Sequence, residues 1–195
     1  MLARTKVPGI SNAVPRTPHP ERLFHSDAGD LVLTGRESIG SWFEQSLVAR
    51  RQEYLTYTAE TYQHGAGLTT HYNRHKFHAL ILSFEPEIGR SLTIMPCPVG
   101  YPDCELTFPL KGPVPDGPLR MRVKVDHAVQ RFYWASGDGG WQPIGGSLDA
   151  TLINGEAGPG EHGSFAGAFV GMIAYDITGH GREARFECFT YIPMG

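Results

Sequence analysis

A chain of 195 residues, 41% of them hydrophobic, is the size of one domain and apolar enough to bury a core. Its formal net charge of −3 at pH 7 gives no basic footprint of the kind nucleic-acid binders carry. No run approaches the ~18 apolar residues of a membrane span, and Arg4 and Lys6 are followed by no apolar stretch of the kind a secretory signal needs. The expectation is a soluble protein, cytoplasmic if these residues are the whole product.

Residues 1–28 hold Pro8, Pro15, Pro18 and Pro20 with few apolar anchors, and read as an irregular arm. From residue 29 to 195 the pattern is that of a single β-sandwich domain: short runs rich in β-branched and aromatic residues, broken by turn residues. It predicts strands over 31–34, 42–50, 55–61, 67–72, 77–84 and 90–95. A Pro- and Gly-rich stretch over 96–118 follows, with room for a short strand at 105–108. Leu119, Met121, Val123 and Val125 then alternate with Arg120, Arg122 and Lys124, the pattern of a strand with one wet face. Further strands are predicted over 129–134, 141–144, 168–174 and 185–192, with a turn near 148–153. Such a series is the signature of an all-β sandwich or barrel.

Cys97, Cys104 and Cys188 are an odd count without CxxC spacing, which argues against a zinc site; a Cys97–Cys104 bridge across a short loop stays open. His64, His71, His75 and His78 crowd fifteen positions, and His71 and His78 flank a turn across which they are placed to face each other. No third ligand completes a metal site, so no metal is expected. Asp149, Asp176 and Glu187 fall at predicted turns or strand ends, where self-capping turn chemistry competes with an acid–base role. There is no GxSxG elbow, and no Gly-rich stretch has the strand–loop–helix setting of a phosphate cradle, so no cofactor is expected. Among the aromatics, Trp42, Tyr72, Phe77 and Trp134 are candidate ligand contacts on strands. Phe165, in the Gly-rich run 163–167, has less core to join and is the stronger candidate for a pocket.

The runs GRESIGSWFEQSLVARRQ (35–52), AGLTTHYNRHKFH (66–78), WQPIG (141–145) and GSFAGAFVGMIAYDITGHG (163–181) resemble the C-terminal domain of family-43 β-xylosidases and α-arabinofuranosidases. The likeness runs in order from about residue 16 to 193. It implies a concanavalin A-like double sheet of jelly-roll type, packed in such enzymes against a catalytic propeller that carries the hydrolytic Asp, Asp and Glu. It also implies that Phe165 closes a xylose pocket. The usual WLRTP entry reads VPRTP here (14–18), and the last strand reads ARFECF (184–189), replacing two aspartates.

Two functions fit. One is an accessory domain that binds or caps a small sugar-like ligand, with a glycosidase propeller as partner and no hydrolysis of its own. The other is a free-standing isomerase- or cyclase-type enzyme acting on a small metabolite in its own cavity, with His71, His78, Asp149, Asp176 and Glu187 as its acid–base groups. A homodimer through an exposed sheet face is compatible with either.

Overall fold

The computed structural model describes residues 21, 23–64, 66–99, 103, 105–153 and 167–194. The strands among these residues are β1 (Phe24–Asp27), β2 (Asp30–Thr34), β3 (Ser46–Arg51), β4 (Thr56–His64), β5 (Gly67–Asn73), β6 (Lys76–Glu85), β7 (Gly89–Cys97), β8 (Leu110–Pro113), β9 (Leu119–Asp126), β10 (Val129–Ser136), β11 (Gln142–Asp149), β12 (Phe169–Ala174) and β13 (Glu183–Pro193). They form two antiparallel sheets, ordered β1-β2-β13-β4-β9-β10-β11 and β3-β12-β5-β6-β7-β8. The expected all-β sandwich is the observed architecture. Among the described residues no helix is long and apolar enough to cross a membrane.

The main core lies between the sheets. Leu68, Leu80, Leu92, Ile94 and Val170 meet Tyr57, Ala59, Leu119, Met121, Val123 and Phe132, with period-2 alternation delivering one face of each strand. A second inter-sheet cluster joins Leu31, Leu33, Ala184 and Phe186 to Val48, Met172 and Ala174. β9 shows the predicted alternation, with its apolar residues buried and its basic residues half-buried on the opposite face. β5, β6 and β7 do not alternate, because both their faces are covered; Phe77, Ala79 and Ile81 on the outer face of β6 are as buried as Leu80 and Leu82 on the inner face.

Four boundaries differ from the sequence reading. β1 lies inside the stretch read as an arm, since Phe24 is its single inward apolar residue and two polar residues end it. Trp42 is not in a strand: β3 begins at Ser46. The strand in the Pro/Gly-rich stretch is β8 at Leu110–Pro113 rather than 105–108. It is an edge strand held by pairing with Ser91–Ile94 and by Lys111–Glu85 at 2.9 Å, so its own apolar pattern is nearly blank. β11 runs five residues further than expected, with a register shift opposite Gln130 and Phe132.

Candidate functional site

Residues 35–45, between β2 and β3, lie across the outer face of the six-stranded sheet. Ile39 anchors them, 1% exposed among Ala49, Phe77, Ala79 and Met95. Gln45 Nε2 donates to the carbonyl oxygens of Ile39 and Ser41, and Ser41 Oγ donates to Glu37, so the loop is tied to itself as well as to the sheet. Together with the turn after β12 it walls a cleft of about 670 Å³ whose lining includes Arg36, Glu37, Trp42, Phe43, Glu44 and Ile177. Trp42, Phe43 and Ile177 are 55%, 74% and 76% exposed and rim it with apolar surface.

Among the described residues, Trp42 is the one ligand candidate from the sequence that reaches this cleft. Its ring is set by the β5–β6 hairpin: the Arg74 guanidinium lies over it, 3.1 Å from the centroid, and His75 meets it edge-on at 6.2 Å. A fixed aromatic plane beside carboxylates and hydroxyls is the arrangement that grips a sugar ring, apolar on its C–H face and polar at its rim. Glu37 and Glu44, which line the cleft, and Arg74, which covers the Trp42 ring, carry no mark in the sequence, because nothing in a charged loop residue tells what it will face.

Asp176 also lines the cleft, and its carboxylate accepts hydrogen bonds from the Thr178 hydroxyl and from the backbone N–H groups of Thr178 and Arg182. These bonds, the Thr178 hydroxyl foremost, hold its pKa down to about 2. Asp176 is thus ionised at neutral pH, and its carboxylate caps the turn after β12. Asp149 is held down in the same way by the Thr151 side chain and backbone, capping the 3-10 turn Ala150–Leu152. Glu187 is exposed, at the register shift of β13.

His71 and His78 do not face each other. The register sets His71 opposite Phe77 and His78 opposite Thr70, so one ring points out of the sheet and the other into the sandwich. His78 is 1% exposed, with Nδ1 3.5 Å from Gln130 Oε1, which also accepts from Thr70 Oγ1 at 3.0 Å. His71 is 4% exposed, its ring stacked near Phe77 with centroids 6.4 Å apart and its Nε2 without a hydrogen-bond partner among the described residues. Burial lowers both pKa values to about 4, against the smaller upward pull of Gln130 and Asp149 on His78. Both rings are therefore neutral at pH 7.

Phe77 and Tyr72 are buried, Phe77 in the cluster under Ile39, and Trp134 is half-buried against the inter-sheet core. Phe165 and Cys104 lie outside the described residues; the Cys97 thiol donates to the His75 carbonyl oxygen at 3.3 Å. The described chain resumes at Gly167, beside Arg51, and Phe169 pairs with both Arg51 and His71. Among the described residues no group of three or more His, Cys, Asp or Glu is placed to hold a metal ion.

The model of the β-xylosidase C-terminal concanavalin A-like domain matches residues 9–192. Xylosidase/arabinosidase 43B of Humicola insolens is 40% identical over 192 residues, covering 92% of this chain and 36% of that protein. The putative β-xylosidase of Escherichia coli strain K12 is 32% identical over 175 residues, or 85% of this chain and 32% of that one. The solved xylan β-1,4-xylosidase of Bacillus halodurans C-125 superposes with a TM-score of 0.79 at 27% identity, over 88% of this chain and 34% of that one. The chain spans about a third of the length of these relatives. It belongs to the family of β-xylosidase C-terminal concanavalin A-like domains.

Proposed function

We propose that the chain is an accessory domain that binds or caps a small sugar-like ligand beside a family-43 catalytic propeller, and that it does not hydrolyse glycosides alone. The observation that carries this reading is the cleft: its volume of about 670 Å³ suits a sugar of one or two rings, and Trp42 stands fixed at its rim. Support for a separate catalytic domain comes from relatives named as xylosidases that are about three times as long. Support against hydrolysis by this chain comes from Asp149 and Asp176, both held ionised by the turns they cap. Phe165 is proposed as a second contact, in the GSFAGAF run that leads into β12 beside His71.

Xylose and xylobiose are expected to quench or shift the tryptophan fluorescence of the purified chain and to raise its Tm. Trp42→Ala and Phe165→Ala are each expected to weaken xylobiose binding about tenfold or more, and Trp42→Ala to leave Tm close to wild type because the ring is 55% exposed. Absence of any response to both sugars overturns the binding role. Release of xylose from an aryl β-xyloside by the pure chain overturns the non-hydrolytic one.

A further inference from the structure

On the outer face of the seven-stranded sheet, strand alternation sends Arg120, Arg122 and Lys124 of β9 to the same side as Arg131 and Tyr133 of β10. Trp141 joins them just before β11: the Arg122 guanidinium lies 3.8 Å and that of Arg120 5.2 Å from its ring centroid. Lys124 Nζ is 5.6 Å from the centroid of Tyr133. In a chain whose net charge is −3, four cations and two aromatic rings thus share one patch.

The internal partners of these cations account for their charge only in part, since a single carboxylate, that of Glu60, pairs with the four among the described residues. Arg122 is tied to Glu60, Nη2 to Oε1 at 2.6 Å, and Arg120 Nη2 donates to the Gly139 carbonyl at 2.6 Å, while Arg120 Nε has no partner among the described residues. Lys124 and Arg131 stand directly opposite each other across β9 and β10, and no acidic group pairs with either among the described residues. Like charges at cross-strand positions destabilise a sheet, so this pair is a cost to the fold that an anion bound from outside relieves. Asp126, at the end of β9, is turned to His127 at 2.8 Å.

We infer that this face binds a carboxylate-bearing polysaccharide, a uronic-acid-substituted chain, with sugar rings lying over Tyr133 and Trp141 and carboxylates against Lys124 and Arg131. That the ligand is a carbohydrate rests on the proposed function; that it is anionic rests on the charges alone. A sparsely charged glycan fits better than a nucleic acid, because the patch carries an acid of its own, Glu60, and the whole chain repels a densely charged phosphate backbone.

The test is affinity electrophoresis and calorimetry of the full chain against glucuronic-acid-substituted xylan, the same xylan after chemical reduction of its carboxyl groups, and single-stranded DNA. The acidic xylan is expected to bind in a salt-dependent way, and carboxyl reduction to abolish most of that binding. The double variant Lys124→Gln/Arg131→Gln is expected to weaken it about tenfold while Tm stays level or rises, since a like-charge contact is removed. Equal binding of native and reduced xylan, tighter binding of DNA, no binding at all, or an unaffected double variant each overturns the inference. The double variant leaves the Trp42 cleft intact, so its xylobiose response separates a failure here from a failure of the cleft reading.

Discussion

Between pH 7 and pH 4 the protein is expected to lose about 6 kcal/mol of stability, through two histidines alone. His71 and His78 have folded pKa values near 4 against a usual 6.5, because burial penalises their charged forms. Across that window the unfolded chain binds the protons and the folded chain refuses them, so stability falls as the pH falls and is fully present above 6.5. Each group contributes about 3 kcal/mol by pH 4. For a chain of this length the sum corresponds to a drop of roughly 12–24 °C in Tm. Asp176, with its folded pKa lowered to about 2, acts in a separate window, its stabilisation vanishing only as pH falls from 3.8 through 2. Urea titrations at pH 7, 6, 5 and 4 resolve the histidine window. His71→Phe removes one titrating ring and one unpartnered nitrogen, and is expected to halve the slope; His78→Gln does the same through the other site. A stability that is flat from pH 7 to pH 4 would show that both imidazoles reach solvent.

The inner strands were legible because each carries either an alternating period or a continuous apolar run, and β9 is the clearest case of the first: Leu119 to Val125 on one face, Arg120 to Lys124 on the other. β1 and β8 were not, because these two edge strands are held by backbone pairing to a neighbour and most of their side chains are exposed. At the site the same division holds. The sequence pattern puts Trp42 on a strand, since aromatic and β-branched residues follow it, but the contacts that fix it, Arg74 over its ring and His75 at its edge, are tertiary. Gln130 did carry a readable signal: it stands in register with Phe132 and Trp134, an amide at a core-facing position, and buried polar groups at such positions need partners. Thr70, between Leu68 and Tyr72 on β5, is the partner the same reasoning would have sought. The pairing of His71 with Phe77 was hidden by a register shift between His71 and Asn73, which a sequence does not print.

Gly171→Ala is expected to cost about 3 kcal/mol or more, the largest effect of any single methyl group in the described chain. β12 is an inner strand, paired on one side with β3 and on the other with β5, and Gly171 stands opposite Ala49 and Thr69. A Cβ at this position would lie 2.3 Å from the Val48 carbonyl oxygen and 2.4 Å from Ala49 Cα. Those are backbone atoms of β3, so relief requires the strand itself to move, together with Leu47 and Ala49, which pack under Ile39 and hold the cleft loop in place. The substitution is therefore expected to lower Tm by roughly 6–12 °C and to weaken xylobiose binding more than the lost stability alone explains. Gly112→Ala, on edge strand β8 with open space where its Cβ would go, is the matched control and should melt like wild type. A Gly171→Ala protein as stable as the Gly112→Ala control would mean that β3 does not run against β12 in this register, and the platform beneath Trp42 would have to be redrawn.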